Sequence, residues 1–499
     1  ISYGDADAYV GALAQKLVGA GYGTGMRIGL LLENRPIFFL HWLAFNRIGA
    51  SVCPFNPDLR AAELEYQIGH AEPALIVAIA PRIAGLQAAA DAAGIKLQVI
   101  APGNVIPAPR ENAIVTPHAE DVADHEAAIL YTSGTTGQPK GCVLTNTYFT
   151  EIADWYTNLG GIATLKDDGE RMITPLPIFH MNAMAYSFMA MLSVGGCLIA
   201  LDRLHPRSWW DDVRKSRATS LHYLGVMPSM LMGCAPTDAD RDHSVRFGFG
   251  AGVDPKLQAQ FETQFGIPLC EAWAMTETGA GAVIAANTED RLIGQATFGK
   301  PNLDLDVLIV DDAGAPCPTG ISGELLVRRK GDDPRRGFFK EYYKNPEATA
   351  EAWQNGWFHT GDIVRTDADG NMFFIDRKKN VIRRSGENIA AVEVESILMR
   401  HPRVKAAGIA AVPDPVRVDE VFACLLVDDP SPPLAREITQ WALGQIAYHK
   451  VPGFIAFVES LPLTSTQKIQ RAELKELAAE LLDHPDTVKL TDLKKRQPA

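Results

Sequence analysis

The stretch Tyr131–Gly141, which reads YTSGTTGQPKG, combines glycines, hydroxyl side chains and one lysine. Glycines allow successive backbone N–H groups to turn inward and form an anion-binding concavity. The hydroxyls add donors and Lys140 adds positive charge, while the preceding run EAAILY predicts a strand that delivers the loop. These residue types indicate a phosphate-binding loop. A flexible glycine turn is the alternative that the stretch alone leaves open.

The spacing of this stretch differs from that of P-loop nucleotidases. A P-loop needs a glycine, four further residues and then Gly-Lys followed by Ser or Thr. Here Gly134 and Gly137 are too close together, and Lys140 precedes Gly141 rather than a hydroxyl residue. A phosphate-binding role for this loop therefore predicts a different class of nucleotide enzyme.

The length and net charge of the chain indicate how many domains to expect and exclude some classes of binding partner. A chain of 499 residues exceeds what one hydrophobic core usually supports, so we expect more than one domain. With 47 basic and 60 acidic residues the net charge is −13, which argues against a nucleic-acid partner and against binding to anionic membranes. No segment has the uninterrupted apolarity of a membrane span, so no integral membrane segment is expected.

The seven cysteines are scattered and form no Cys-x-x-Cys pair. This distribution is typical of reduced thiols in a cytoplasmic protein, and it indicates neither a disulfide framework nor a metal site. The sequence starts at Ile1 within a helical pattern and lacks an initiator Met, so we expect residues before it.

Apolar patterns of helical spacing alternate with buried strand patterns along most of the chain. The alternation predicts an α/β protein with a large N-terminal domain of layered, largely parallel sheets. The pattern becomes shorter and richer in strands from GISGELLVRR onward, and a compact α+β tail follows. We place the domains at residues 1–377 and 380–499, with a polar hinge near 377–380.

Five stretches, in this order, resemble the adenylate-forming superfamily of acyl-CoA synthetases, adenylation domains and luciferases. They are YTSGTTGQPKG, PLPIFHMNAM, AWAMTETG, the segment GWFHTGDIVRTDADGNMFFIDRKKNVIRRSGENIAAVEVE, and LPLTSTQKIQR near the end. The resemblance extends over essentially the whole chain, and it implies a small β-barrel-like part and a small mobile C-terminal lid domain. Within the family, the acyl-CoA synthetase branch and carnitine/crotonobetaine-CoA ligases are the most similar.

The resemblance implies a two-step reaction with ATP, Mg²⁺ and coenzyme A. A carboxylate attacks the α-phosphorus of ATP, releases pyrophosphate and forms an acyl-AMP, which a thiol then attacks. Negative charge gathers in the first transition state, so the chemistry requires fixed donors, a cation and a metal ion. The implied partners are a small carboxylic acid, ATP and CoA; a homodimer is left open.

The resemblance assigns nucleotide contacts to three stretches. The β- and γ-phosphates would be bound by Thr132, Ser133, Gly134, Thr135, Thr136, Gly137 and Lys140. The resemblance also implies cofactor binding by Gly250, Ala251, Gly252, Glu271, Ala272, Trp273, Ala274 and Met275, with Trp273 stacked near adenine. Thr276 would contact the α-phosphate and Glu277 would bind Mg²⁺, as a hard carboxylate suits a hard cation. Trp273 replaces the family's usual Tyr, and Ala274 replaces its Gly.

The remaining assignments lie toward the C-terminus. Asp362 would accept hydrogen bonds from the ribose hydroxyls. Lys468 would contact the carboxylate and α-phosphate oxygens in the first step, although Gln467 stands where the family usually has Gly. The resemblance also implies binding roles for Ile375, for Arg377 at the ribose-phosphate region and for Lys379 at the hinge. Arg384, together with Arg383, would contact the CoA phosphates or would only carry surface charge. Gly386 and Glu387 would line the pantetheine tunnel.

The acid site is expected around His180, whose ring gates the pocket, seats the carboxylate, or packs in the core. Further lining is expected from Met181, Asn182, Met184, Val226, Met227, the GFGAGV stretch and Gly279. None of these stretches contains Arg or Lys, which argues against a second carboxylate on the acid. We expect a medium- or long-chain fatty acid or a carnitine-type acid. The alternatives are an aryl acid, a carrier-protein-loading acyl-AMP ligase, and a catalytically silent nucleotide-binding protein.

Overall fold

A computed structural model of the chain describes residues 1–116, 120–132, 138–288, 291–311, 313–377, 381–463 and 469–495. The chain divides into two compact units. Unit 1 comprises Ile1–Asn56, Ile68–Leu130 and Gly141–Lys378, and unit 2 comprises Pro57–Gln67, Tyr131–Lys140 and Lys379–Ala499.

The helices are listed here in chain order. They are α1 (Tyr3–Ala20), α2 (Pro36–Arg47), α3 (Ala61–Ala71), α4 (Ile83–Ala92), α5 (Asn146–Thr157), α6 (Phe188–Ser193), α7 (Trp209–Ser216), α8 (Val226–Met232), α9 (Pro255–Phe265), α10 (Pro346–Ala352), α11 (Ala391–Leu398), α12 (Pro432–Leu443) and α13 (Arg471–Leu481). A π-helical turn, Asn182–Ser187, leads directly into α6.

The strands follow the same order. They are β1 (Arg27–Leu31), β2 (Ser51–Pro54), β3 (Leu75–Ala78), β4 (Val99–Ile100), β5 (Glu126–Thr132), β6 (Lys140–Thr145), β7 (Arg171–Thr174), β8 (Cys197–Ala200), β9 (Ser220–Leu224), β10 (Phe247–Ala251), β11 (Leu269–Trp273), β12 (Ile284–Ala285), β13 (Thr297–Gly299), β14 (Leu305–Val310), β15 (Gly323–Arg329), β16 (Glu341–Tyr342), β17 (Trp353–Gln354), β18 (Trp357–Thr366), β19 (Met372–Arg377), β20 (Val381–Arg384), β21 (Glu387–Ala390), β22 (Ala406–Asp414), β23 (Val418–Leu426), β24 (Phe454–Phe457) and β25 (Val488–Lys489).

Two sheets with mainly parallel pairing form the larger part of the fold. The first has the order β16-β6-β5-β2-β1-β3-β4, and the second has the order β12-β11-β10-β9-β7-β8. Strands β1, β2 and β3 are buried along their whole length, as their nearly continuous apolar sequences predict for parallel strands covered on both faces. In the second sheet, β9, β10 and β11 run parallel, so their carboxyl ends meet at one edge.

A third sheet, with the order β13-β19-β18-β15-β14 and β17 added on β18, pairs antiparallel throughout and curls into a half-barrel. In β18, buried residues alternate with more exposed ones, as expected when one face packs on a core. The fourth sheet, in unit 2, has the order β21-β20-β23-β24-β25 with β22 on β23, and helices α11 and α13 contact β22.

The predicted fold class is confirmed: layered, largely parallel sheets with helices, an antiparallel half-barrel, and a C-terminal α+β part are all present. Helix starts follow ordinary capping chemistry, as in α1, where Ser2 and Asp5 cap each other reciprocally. Within the described ranges, every helix is too short or too polar to serve as a membrane span.

Candidate active site

The turn Met275–Gly279 follows β11 and is held by tyrosine hydroxyls from three other parts of unit 1. Tyr148 donates to the carbonyl oxygen of Thr276 at 2.9 Å, and Tyr186 donates to that of Gly279 at 2.9 Å. Tyr342 donates to Oε1 of Glu277 at 2.8 Å. Burial raises the pKa of Tyr148 and of Tyr186 well above the usual value, so both hydroxyls keep their protons and remain donors.

The backbone of this turn requires glycine at its end. Gly279 has φ +49°, and a Cβ there would lie 2.3 Å from the Tyr148 ring and 2.5 Å from the carbonyl oxygen of Gly337. Because Gly279 has no side chain, the Tyr148 ring can approach closely enough for its hydroxyl to donate to the Thr276 carbonyl oxygen. The turn therefore presents Thr276, which is half-buried, and the buried carboxylate of Glu277 in fixed positions.

Trp273 and Asp362, which the sequence assigned to base and ribose binding, are in direct contact. The indole Nε1 donates to Oδ2 of Asp362 at 2.8 Å, and both side chains are buried. The Asp362 amide donates to Oγ1 of Thr360 at 3.0 Å, and that hydroxyl donates to the Leu325 carbonyl at 2.7 Å. Tryptophan thus supplies a donor that orients the carboxylate.

We expect Trp273→Phe to raise the KM for ATP about 10-fold, the effect of one lost hydrogen bond to a charged group. The aromatic face that would stack on a base is kept, so the change tests the indole N–H alone. Steady-state kinetics with varied ATP check it, and the KM for the acid should change much less. An equal rise in both KM values would contradict the role in nucleotide binding.

Glu271 lies on β11, and its carboxylate binds the backbone of the adjacent glycine loop. It accepts from the N–H of Gly252 at 2.7 Å and from that of Val253 at 3.3 Å, and the hydroxyl of Tyr223 donates to the same carboxylate. Burial raises the pKa of Glu271 to about 6. Glu271 therefore positions the loop that follows β10.

That loop depends on glycine for close backbone packing. A Cβ at Gly225 would lie 1.6 Å from the Gly252 carbonyl oxygen, and a Cβ at Gly250 would lie 2.2 Å from the Tyr223 carbonyl oxygen. Gly252 itself has φ +80°. The carboxyl ends of β9, β10 and β11 are thus joined into one rigid edge beside Trp273, the position where open α/β sheets bind ligands.

His180 is half-buried at the start of the predicted acid-binding segment, with its ring centroid 4.6 Å from that of Phe179. Its carbonyl accepts from the N–H of Met184 at 3.1 Å, so His180 leads into the π-helical turn. Met184 and Met227 are buried, whereas Met181 and Asn182 are half-buried. Wide π turns are often found at functional sites.

A buried hydrogen-bond network fixes this π-helical turn to the second sheet. Nδ1 of His222, on β9, lies 2.8 Å from Oδ1 of Asn182 and 2.7 Å from Oγ of Ser187. Nε2 of His222 lies 2.8 Å from the hydroxyl of Tyr156 on α5. Burial lowers the pKa of His222 to about 3, so the imidazole is neutral at pH 7.

The low pKa of His222 predicts acid-sensitive stability. Below pH 6.5 the unfolded chain binds a proton at this histidine while the folded protein does not until about pH 3, so stability falls as pH drops through that range. At pH 5 the loss is about 2 kcal/mol. Urea unfolding of the wild type and His222→Asn at pH 7.5 and pH 5 should show a smaller drop in the variant.

The pKa of Glu271 is raised in the folded protein, so its effect on stability is opposite to that of His222. The folded protein holds the Glu271 proton more tightly than the unfolded chain, and the free energy of unfolding therefore falls as pH rises through this titration. It is common to both proteins, so it cancels from the difference between them. Parallel losses of stability in the wild type and His222→Asn would contradict the assignment.

The half-barrel places Asp362 opposite Arg377 in register across β18 and β19. Next to this pair the register shifts, since Ile363 pairs with Asp376 and Val364 pairs with Phe374. Ile375 is thereby left as the extra residue of a β-bulge, and it is 47% exposed. Bulges commonly re-aim side chains beside active sites, which suits a predicted binding residue.

In unit 2, Arg384 is only 3% exposed, and its Nε donates to both carboxylate oxygens of Glu420 at 2.9 Å. Lys494 donates to the same carboxylate. Ser385 and Gly386 both have positive φ, as in the two-residue turns that match hairpin twist, and they join β20 to β21. In this structure Arg384 is therefore an internal ion-pair partner, and its role toward CoA stays a prediction.

Several predicted residues lie outside the described residues: Ser133, Gly134, Thr135, Thr136, Gly137, Lys379 and Lys468. Thr132 is the last residue of β5 and Lys140 is the first of β6, so the stretch predicted to bind phosphate lies between these two strands in the chain. Sequence reasoning missed the supporting residues Tyr148, Tyr186, Tyr223, Tyr342 and His222. Isolated tyrosines without a motif gave no pattern by which they could be found.

Residues 1–343 match the AMP-binding enzyme family, and residues 393–468 match the AMP-binding enzyme C-terminal domain. The chain belongs to the AMP-binding enzyme family. A crotonobetaine/carnitine–CoA ligase from Salmonella typhi is 30% identical over 95% of this chain and 93% of that protein.

Solved structures show the same fold. An amide bond synthetase, McbA, from Marinactinospora thermotolerans has a TM-score of 0.82 at 24% identity, covering 96% of this chain and 95% of that one. A double mutant of o-succinylbenzoate CoA synthetase (MenE) from Bacillus subtilis, bound with its product analogue, has a TM-score of 0.80 at 23% identity, covering 95% and 93%. The structures confirm the fold, and the family match together with the 30% identical relative confirms the prediction of an AMP-forming acid:CoA ligase.

Proposed function

We propose that the protein is an ATP-dependent carboxylic acid:CoA ligase acting on a fatty or carnitine-type acid. The observation that carries the proposal is the turn Met275–Gly279 directly after the Trp273–Asp362 pair. Trp273 holds the Asp362 carboxylate, and Thr276 and the Glu277 carboxylate follow Trp273 on the same segment, which supports neighbouring contacts to ribose, α-phosphate and Mg²⁺. The relatives named as crotonobetaine/carnitine–CoA ligases support the acid class.

In the first step, an oxygen of the substrate carboxylate attacks the α-phosphorus of ATP. The bond to the bridging oxygen of pyrophosphate breaks, and pyrophosphate leaves with that electron pair. Thr276 would donate to the α-phosphate, while Lys140 and Lys468 would offset the charge that accumulates on the phosphate and carboxylate oxygens. Asp362, oriented by Trp273, would hold the ribose hydroxyls so that the phosphate chain is in line.

Glu277 fits Mg²⁺ by its chemistry. Mg²⁺ usually takes one or two protein carboxylates together with substrate phosphates, and Glu277 is a buried carboxylate held by Tyr342 at 2.8 Å. When bound there, the ion would neutralise phosphate charge and orient the leaving pyrophosphate. The protein's own contribution is the fixed position of the carboxylate.

In the second step, the CoA thiol sulfur attacks the acyl carbonyl carbon, the C–O bond to AMP breaks, and the thiol proton is lost to solvent. We propose that residues 1–377 and 380–499 act as two domains about a hinge at 377–380, so that Lys468 and the hairpin around Gly386 serve different steps. Gly386 and Glu387 would then border the path of the pantetheine arm.

The cysteines support a cytoplasmic setting for this chemistry. The seven cysteines all lie in the described part of the chain, and none of them forms a disulfide. A disulfide-rich extracellular enzyme would show pairing, so we propose that the ligase works in the cytoplasm, where ATP and CoA are available.

AMP release from ATP and Mg²⁺ across a panel of acids, with and without CoA, tests the function. The panel would contain fatty acids of short, medium and long chain, hydroxycinnamates, benzoates and carnitine-type acids. CoA-dependent release with fatty or carnitine-type acids is the expected result. Release with aryl acids would replace the acid class, and acyl-AMP formation without thioester would favour a carrier-loading ligase.

A further inference from the structure

A cavity of about 380 Å³ lies at the amino-terminal edge of the first sheet, within unit 1. Its walls come from the residues just before β3 and β4, from the loop after β4, and from Tyr22, which follows α1. Strand β5 runs parallel to β2, and β2, β1, β3 and β4 are parallel in turn, so the carboxyl end of β5 lies at the opposite edge. Because the predicted phosphate-binding stretch starts at that end, the cavity is separate from the proposed reaction site.

Tyr22 lines the cavity, and its hydroxyl is buried without a hydrogen-bond partner among the described residues. The residue is only 3% exposed, and its backbone N–H donates to the Leu17 carbonyl at 3.0 Å, which fixes it at the end of α1. Burial raises the pKa of Tyr22 to about 12, so the hydroxyl keeps its proton and is a donor at neutral pH. A buried hydroxyl that makes no hydrogen bond costs stability, so an acceptor placed in the cavity by a ligand would be favoured.

Two cations at the cavity have no carboxylate partner in the ranges that the structure describes. Lys96 is exposed and forms no ion pair there. Arg110 donates through Nε, Nη1 and Nη2 to three backbone carbonyl oxygens at 3.1 to 3.2 Å, which fix the guanidinium but do not neutralise it. A guanidinium has five N–H donors, so two of them remain for a ligand.

The remaining lining limits the charge and the shape of a ligand. Asp91 is the anion of the lining, and it accepts from Nε2 of Gln87 at 3.1 Å, so Lys96 and Arg110 against Asp91 leave a net charge of +1. Most of the other wall residues are apolar: Ala74, Leu97, Pro107, Ala108 and Pro109. Proline walls lose little conformational entropy when they are covered. The lining therefore suits one negative charge on a compact hydrocarbon body.

We propose that this cavity is a second ligand site, which binds a small organic monocarboxylate. Its carboxylate accepts from the Tyr22 hydroxyl and faces Lys96 and Arg110, while its hydrocarbon part packs on Pro107 and Pro109. A phosphate monoester brings nearly two negative charges to a lining of +1, so more charge would be desolvated without compensation. The site is additional to the proposed ligase reaction and does not depend on it.

The test is binding of 4-fluorobenzoate to the full chain at pH 7, without ATP or CoA, followed by ¹⁹F NMR of the ligand. Tyr22→Phe keeps the ring and removes the hydroxyl, so it should raise the Kd about 10-fold, the effect of one lost charge-assisted hydrogen bond. Lys96→Gln should raise the Kd about threefold, since an exposed charge contributes less. The neutral analogue 4-fluorobenzamide should bind at least about 10-fold more weakly than the acid.

Lys256→Gln is the matched control, because Lys256 is an exposed lysine on α9 that does not line the cavity, and its Kd should equal that of the wild type. Binding of the acid at the proposed reaction site would give the same Kd in all three variants. The proposal is therefore overturned if Tyr22→Phe binds 4-fluorobenzoate as the wild type does, or if 4-fluorobenzamide binds equally well. Displacement of the probe by inorganic phosphate at lower concentration than by benzoate would overturn the carboxylate class.

Urea unfolding of Tyr22→Phe checks the unpaired hydroxyl itself. Because the change removes a buried group that makes no hydrogen bond, the variant should be at least as stable as the wild type. A marked loss of stability would show that the hydroxyl is already bonded inside the protein, and it would overturn the proposal as well. Should Tyr22→Phe fail to fold, an unchanged Kd in Lys96→Gln overturns the carboxylate contact in its place.

Discussion

Lys468→Ala should lower the rate of acyl-AMP formation about 1,000-fold, the upper range for removing one fixed donor from a charge-stabilising site. The reason is that carboxylate and phosphate oxygens gather negative charge at the same time in the first step, and an alanine offers nothing to offset it. Thioester formation from supplied acyl-AMP and CoA should remain largely intact. ATP–pyrophosphate exchange measures the first half-reaction, and CoA thioester yield from acyl-AMP measures the second.

The matched control for this variant is Lys475→Ala. Lys475 is an exposed lysine on α13, a few residues further along the chain, so the control removes the same charge from the same part of unit 2. We expect it to change neither half-reaction by more than about twofold, since a surface charge in water contributes little. Equal losses in both half-reactions of Lys468→Ala would remove the assignment to the first step alone.

The fold could be predicted because its periodic patterns are local. The apolar run at β1 indicates a strand covered on both faces, and that is where the structure buries it. The change to shorter strand patterns from GISGELLVRR onward begins at β15, within the half-barrel, and continues into the C-terminal segment of unit 2. These features depend on neighbouring residues, which a single sequence displays directly.

Sequence motifs predicted the candidate site residues, but they did not predict the side chains that hold those residues in place. Trp273 and Asp362 were assigned to one ligand, whereas the hydrogen bond between them joins residues from two different sheets. The tyrosines that hold the turn Met275–Gly279 come from distant parts of the chain, and nothing near Tyr148 or Tyr342 in sequence indicates their partners. Such contacts arise only when the layers pack.

Arg384 is a further residue whose partners could not be predicted from the sequence. In sequence it belongs to a charged run, for which a solvated face or a phosphate contact are the natural expectations. In the structure, Glu420 and Lys494 enclose it, and burial lowers the pKa of Lys494 to about 7, with the Arg384 charge as a further cause. Pairing with a carboxylate on another strand could not be derived from the residues around Arg384.

Glu277→Gln should lower acyl-AMP formation about 100-fold and raise the Mg²⁺ concentration needed for half-maximal rate. Glutamine has nearly the same shape, and its carbonyl oxygen can still accept from Tyr342, which donates to Oε1 at 2.8 Å. The change therefore removes the negative charge and keeps the hydrogen bond. Pyrophosphate exchange measured over a range of Mg²⁺ concentrations gives both quantities.

Tyr342→Phe is the complementary variant, since it keeps the charge of Glu277 and removes the hydroxyl that holds it. We expect a loss of about 10-fold, because the carboxylate is left buried without one of its donors but still binds a cation. If Glu277 acted only in packing, Glu277→Gln would be nearly silent and Tyr342→Phe would be the more damaging change. A normal Mg²⁺ dependence in Glu277→Gln would likewise show that the metal is bound elsewhere.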